Sequence, residues 1–376
     1  MVVLITAVIG ALAIFLFCSL RISHLNFSDD ALRPEKLYAI DNWLDKIYKQ
    51  GKFNGTILLA KKGEVLFSKA YGFNDGENSS ELSEHSSFNL ASVSKQFTAM
   101  GIVILKSRSL LDYKDKVSRY IPELAFYDEI TIQHLLHHTS GIPDYMRMAV
   151  MSSNKEELLT VAEMIALYQN NKPKLRFKPG EKFEYSNAGY VLLAEIIARI
   201  AKQPFSQFMA ESIFIPLNMK NTQVFNLLSE QEPKDRVYGY AYSFLGSRKR
   251  IKDLNHFDGV AGDGGIYSSA YDLNIWHEAL KVGTLVTNDI YKEAYKPGQL
   301  NDGSKTKYGF GWFINDNQSV EHAGGWQGFT SYIYRNLEND ELIVILDNSS
   351  NALRVNAIGY RFNSIGLNLK NVIESL

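Results

Sequence analysis

The chain has 376 residues, 45% hydrophobic and 22% charged, which is enough apolar material for one or two packed domains. Forty lysines and arginines against 41 aspartates and glutamates leave a net charge of −1 with no basic cluster, so a nucleic-acid-binding surface is excluded. The single cysteine, Cys18, excludes an internal disulfide and any cysteine-built metal site.

The chain opens on an uncharged apolar run from Val2 to Leu20. At 1.5 Å per residue such a run reaches roughly 28 Å as a helix, close to the thickness of a bilayer core. It has no basic start and no Ala-x-Ala-like cleavage site at its end, so residues 1–30 are expected to be a retained membrane anchor rather than a cleaved signal segment. A lipid on Cys18 is disfavoured by the bulky Phe17 before it. Residues 31–376 are then the folded unit. Within it, Leu37, Ile40, Trp43, Leu44 and Ile47 carry helical spacing over Pro34 to Gln50.

From Gly55 to Gly72 two β-rich runs flank Lys62-Gly63, the pattern of a hairpin. Similar runs return at Phe329 to Arg335 and Glu341 to Asp347, followed by a helical stretch from about Asn351 to Ile365. Between the two ends helical patterns dominate: Val93 to Leu105, Thr131 to His137, Lys155 to Tyr168, Tyr190 to Ile200 and Phe205 to Ile213. The expected fold is α+β: one antiparallel sheet built from both chain ends (about 35–90 and 255–376), flanked by helices, with a mostly helical region (about 91–254) inserted.

Ser92-Val-Ser-Lys95 enters an apolar helix, which sets a hydroxyl and an amine one turn apart on the same face. A hydroxyl is a poor nucleophile at neutral pH unless a neighbour takes its proton, and a buried lysine can do this or tune another base. Ser-x-x-Lys recurs at Ser152/Lys155 and Ser304/Lys307, but both lie in polar, turn-rich surroundings that read as solvated surface. Tyr185-Ser-Asn187 closes a turn-rich loop where a helix begins. A phenol beside an ammonium is a candidate general base, because the cation favours the phenolate. Asn187 could present its amide to a substrate and to Lys95, or simply cap the helix that follows; the pattern alone fits both. Glu321-His322-Ala-Gly324-Gly325 precedes a strand, and an N–H there could complete an oxyanion hole with that of Ser92. His134, His137 and His138 have metal-like spacing in part but no matching third ligand.

Taken in order, Ser92-x-x-Lys95, Tyr185-x-Asn187 and His322-x-Gly324 resemble the three motifs of the penicillin-recognising serine enzymes, in the branch related to class C β-lactamases. The segments Leu135 to Tyr145, Phe177 to Gly180 and Gly264 to Leu273 also resemble that family, so the similarity runs from about Lys36 onward. The resemblance implies an acyl-enzyme serine hydrolase of ester, amide or peptide bonds, with Ser92 as nucleophile, Lys95 as its activator and Tyr185 as proton shuttle. It implies that Asn187, His322, Gly324 and Gly325 meet the substrate, a small molecule or peptide. It implies no metal, no cofactor, and a catalytic unit on the outer side of the membrane.

One departure matters. Class C β-lactamases carry Lys-Thr-Gly in the third motif, whereas this chain has His322-Ala323-Gly324, which lacks a permanent cation and a hydroxyl for a substrate carboxylate. Esters are therefore expected to outrank cephalosporins as substrates. The rival reading is a penicillin-binding or scaffold protein that keeps the fold without turnover.

Overall fold

The computed structural model describes residues 22–28, 30–75, 80–151, 157–242, 249–251, 253–316, 318–349 and 365–376. The apolar run Val2 to Leu20 with Cys18, the pair Ser152/Lys155, and nearly all of the C-terminal stretch from Asn351 lie outside them. Among the described residues, no helix is long and apolar enough to cross a membrane.

Helix α1 (Arg33–Lys49) buries Ile40, Trp43, Leu44 and Ile47, the face its spacing predicts. The Glu35 side chain accepts the Leu32 N–H at 2.9 Å and so satisfies one orphan donor at the helix start. Strands β1 (Gly55–Lys61) and β2 (Glu64–Tyr71) form the expected hairpin. Its two-residue turn has both Lys62 and Gly63 at positive φ, 51° and 78°, which matches the twist of paired strands.

After β3 (Phe88–Asn89) come the inserted helices α2 (Lys95–Ser107), α3 (Ile132–Leu136), α4 (Val161–Asn171) and α5 (Asn187–Ala201). Helix α4 starts later than its pattern suggests because Thr160 caps it, accepting the Glu163 N–H. The Phe205 stretch is helical to Met209 and then widens into a π turn over Ala210–Phe214. Short strands β4 (Gln223–Val224) and β5 (Ile266–Ser268) join β3 in a small sheet, which the sequence pattern did not show. Helix α6 (Ala270–Val282) leads to β6 (Phe313–Ile314), β7 (Ser319–Trp326), β8 (Phe329–Asn336) and β9 (Glu341–Asp347). The last helix, α7, covers residues 365–373.

The main sheet is antiparallel throughout, in the order β2-β1-β9-β8-β7-β6, so first and last strands meet at its centre, with Gly55 opposite Asp347. Because successive side chains point to opposite faces, alternation divides these strands between two cores. Leu58, Ala60, Leu342, Val344 and Leu346 join the core shared with the inserted helices. Ile57, Leu59, Ile343 and Ile345 join Trp43, Leu44, Leu369 and Ile373 of α1 and α7 on the other face. Both faces are covered, which is why the central strands read as unbroken apolar runs. The helical layer holds α2 against α5. Gly101 of α2 permits this approach, since a Cβ there would lie 2.7 Å from Ile197 Cδ1.

Candidate active site

Ser92 lies on a 3₁₀ turn, Ala91–Ser94, at the entry to α2. Ala91 is held at φ 46°, a left-handed conformation unfavourable to a side chain, and Asn89 Oδ1 steadies it by accepting the Ala91 N–H at 2.8 Å. The turn is further pinned from the sheet: Ser331 Oγ donates to the Leu90 carbonyl at 2.5 Å, and Ser94 Oγ accepts the Ile266 N–H at 3.2 Å. Strand β7 runs directly behind it. A Cβ on Gly324 would lie 2.5 Å from Ser331 Oγ and 2.9 Å from Ser92 N, and closer still to the Leu90 carbonyl oxygen, so only glycine fits there.

Lys95, the first residue of α2, has no solvent exposure. Its Nζ donates to Ser92 Oγ at 3.2 Å, to Asn187 Oδ1 at 2.9 Å and to the Asp263 carbonyl at 2.7 Å. A buried amine needs its donors satisfied, and each of the three possible donors of this one has an oxygen to meet. It also sits 4.9 Å from the Tyr185 ring centre and 5.7 Å from that of Tyr190, within range of attraction to the ring faces.

Asn187 is the first residue of α5, and its side chain goes to Lys95 rather than capping that helix. Tyr185, two residues earlier, is packed between His138 (ring centres 4.3 Å apart), Tyr308 (6.1 Å) and Phe313 (6.5 Å, stacked). Its hydroxyl is buried and has no hydrogen-bond partner among the described residues. Buried hydroxyls are nearly always paired, and the unpaired ones among the described residues are this one and those of Tyr113 and Tyr267.

Ser92, Asn187 and Gly325 line one cleft of about 260 Å³, together with Tyr145, Asp258, Asp263 and Trp326. His322 is placed behind the wall of that cleft. It is 1% exposed, its Nδ1 lies 2.7 Å from the Ala323 carbonyl, and its Nε2 lies 3.0 Å from the Tyr308 hydroxyl. Because a carbonyl only accepts, the proton is on Nδ1 and Nε2 accepts from Tyr308. Burial, with the Lys95 charge added, holds the ring far below its ordinary range, at about 3, so it is neutral.

Sequence patterns did not single out the two carboxylates of the cleft. Trp326 Nε1 donates to Asp258 Oδ1 at 2.7 Å, and burial pushes the Asp258 carboxyl up to about 7. Tyr145 donates to Asp263 Oδ2 at 3.1 Å; burial raises that carboxyl while the nearby Lys95 charge opposes the rise. The remaining candidates have ordinary duties. His134 Nδ1 accepts the Thr131 N–H at 3.2 Å and His137 Nδ1 lies 3.0 Å from the Tyr308 carbonyl. Ser304 sits in an exposed turn, bonded to Asp302. Among the described residues one trio could in principle hold a metal, His277, Glu278 and Asp340. Two cations already fill that role there: Arg335 Nε donates to His277 Nδ1 at 2.9 Å and Lys281 Nζ to Asp340 Oδ2 at 2.5 Å.

The family profile described as Beta-lactamase matches residues 40–363. The chain belongs to the beta-lactamase family. Its relatives include Penicillin-binding protein 4* of Bacillus subtilis (strain 168), 32% identical over 84% of this chain and 73% of that protein. The octameric penicillin-binding protein homologue from Pyrococcus abyssi has a similar structure, with a TM-score of 0.72 and 26% identity over 83% of this chain and 73% of that one. The D-amino acid amidase from Ochrobactrum anthropi SV3 gives a TM-score of 0.73 at 25% identity, covering 89% and 98% of the two chains. This member of the beta-lactamase family is a serine-type hydrolase of amide or ester bonds.

Proposed function

We propose that the chain hydrolyses an ester or amide through an acyl-enzyme on Ser92. Ser92 Oγ attacks the substrate carbonyl carbon while its proton passes to Tyr185, which takes it as the phenolate and becomes the phenol. The negative oxygen that develops is met by the N–H groups of Ser92 and Gly325. When the bond to the leaving oxygen or nitrogen breaks, Tyr185 returns the proton to that atom. Water then attacks the acyl carbon, Tyr185 takes its proton, and the proton goes back to Ser92 Oγ as the acid leaves. Lys95 holds Ser92 Oγ and Asn187 in register, and Asn187 orients the substrate. His322 and Gly324 shape β7 behind the nucleophile.

One observation carries this reading: a fully buried Lys95 amine touches Ser92 Oγ and Asn187 at 3.2 and 2.9 Å and lies under a Tyr185 ring whose buried hydroxyl is unpartnered. Two features support neutral or cationic acyl groups over a substrate carboxylate. Among the described residues the cleft is lined by Asp258 and Asp263 with no lysine or arginine, and the third-motif histidine is neutral. The likeness to a D-amino acid amidase supports amino-acid amides as a substrate class.

We also propose that residues 1–30, through the run Val2 to Leu20, anchor the catalytic unit 31–376 to a membrane with the unit on its outer side. Protease treatment of intact cells checks this, since a protected C-terminal region would place the unit inside.

The kinetic test compares p-nitrophenyl acetate with nitrocefin for the full-length protein and Ser92→Ala. Ester turnover that exceeds cephalosporin turnover, and that is lost in Ser92→Ala, is expected. Cephalosporin turnover well above the ester rate would overturn the substrate ranking.

A further inference from the structure

We propose that His138 is a positioning residue for this reaction, holding Tyr185 in place by gripping the residues on both sides of it. The inference rests on the reading of Tyr185 as the proton carrier. The His138 carbonyl accepts the Glu184 N–H at 2.9 Å, and His138 Nδ1 accepts the Ser186 N–H at 3.2 Å. Between those two anchors the Tyr185 ring lies against the imidazole, with centres 4.3 Å apart and planes 34° from parallel. One residue thus fixes the backbone before Tyr185, the backbone after it and the face of its ring.

The geometry demands a particular tautomer. Since Nδ1 accepts, the ring proton is on Nε2, and Nε2 has no hydrogen-bond partner among the described residues. It is enclosed by aromatic rings, with Tyr190 and Tyr308 at 5.0 and 4.6 Å between centres. Burial, reinforced by the Lys95 charge, keeps the imidazole neutral, so it remains an acceptor for Ser186 and adds no second cation beside Lys95.

A purely structural role does not account for this side chain. His138 follows the end of α3 at φ 57°, a left-handed position that asparagine tolerates well and that needs no imidazole. An orphaned N–H on a 1% exposed ring is a cost the fold need not carry there. What the position supplies beside Tyr185 is the acceptor that Nδ1 offers to the Ser186 N–H.

Two substitutions test this in the full-length protein, with p-nitrophenyl acetate as substrate and thermal melting as a check of folding. His138→Ala removes the acceptor and the ring face. Because misplacing a catalytic group by about 1 Å costs on the order of 100-fold in rate, kcat is expected to fall about 30-fold with KM within about threefold. His138→Asn puts an amide oxygen where Nδ1 stood and suits the positive φ, and its kcat is expected to return to within about threefold of the parent. Equal kcat in the parent and the alanine variant would overturn the inference, and so would an asparagine variant as slow as the alanine one. If the alanine variant does not fold, His138→Gly, which suits the positive φ and lacks the acceptor, takes its place: kcat at least about tenfold below that of the asparagine variant supports the inference, and equal kcat overturns it. Ser92→Ala in the same assay separates the two levels, because turnover that survives it refutes the reaction itself rather than the role of His138.

Discussion

Tyr185→Phe is the substitution for which the structure makes the sharpest forecast, because it removes one atom and nothing that atom holds. The ring keeps its contacts with His138, Tyr308 and Phe313 and stays under the Lys95 amine. The hydroxyl itself is buried without a partner, and leaving such a group unpaired costs about 1–3 kcal/mol. Its removal is therefore expected to leave the melting temperature unchanged or to raise it by a few degrees, at roughly 2–4 °C per kcal/mol for domains somewhat smaller than this one. Activity should move the other way. Positioned proton transfer contributes about 100- to 10,000-fold, so kcat for p-nitrophenyl acetate is expected to fall by that range. At 1.36 kcal/mol per decade this is about 3–5 kcal/mol of lost transition-state stabilisation. Differential scanning calorimetry and initial-rate kinetics on one preparation give both numbers. A variant within about threefold of the parent in kcat would show that the proton travels elsewhere, and a clearly lower melting temperature would show that the hydroxyl has a structural partner.

Lys95→Ala strands the Asn187 side-chain oxygen and the Asp263 carbonyl without their donor, and kcat is expected to drop by about 1,000-fold or more in the same ester assay. Gly324→Ala drives a methyl into Leu90, Ser331 and the Ser92 amide, and an overpacking cost of about 1–3 kcal/mol predicts a lower melting temperature together with lost activity. Gly325→Ala meets nothing within 4 Å, so it should melt like the parent; a matching loss in both variants would contradict the packing described for β7. Asp258 titrates at about 7 in the fold and near 4 in the unfolded chain, so between those values the folded state binds the extra proton and stability declines as pH rises. Asp258→Asn should therefore gain on the parent, in melting temperature, from pH 4 to pH 8; a constant difference would contradict the buried carboxyl. His322 has the opposite sign, because its ring titrates at about 3 in the fold and near 6.5 unfolded, and its contribution is lost as pH falls below 6.5. His322→Gln should accordingly flatten the acid side of the stability profile.

The sheet was readable because β1 and β9 show their burial as continuous apolar runs, and the hairpin because Lys62-Gly63 suits a two-residue turn. The helices were readable by spacing, but their starts were not: α4 begins where Thr160 caps it, several residues past the first plausible position. At the site, local order marked the candidate residues and long-range packing decided their geometry. Whether Asn187 caps a helix or meets Lys95 is a choice between two partners for one oxygen, and the amine it meets is 92 residues away. His322 reads as a residue facing substrate until Tyr308 is seen to occupy its Nε2. Asp258 and Asp263 lie in a loop without periodic pattern, where a carboxylate is ordinarily solvated; only the fold turns them into cleft walls. His138 left no signal beyond its place in a histidine-rich segment, because its meaning lies in two backbone N–H groups 46 and 48 positions later.

The central claim, a covalent intermediate on one serine, is tested most directly by intact-protein mass spectrometry after exposure to a fluorophosphonate probe. The account predicts one stoichiometric adduct on the parent protein and none on Ser92→Ala. An adduct of equal yield on Ser92→Ala would contradict it, since the reactive hydroxyl would then belong to another residue.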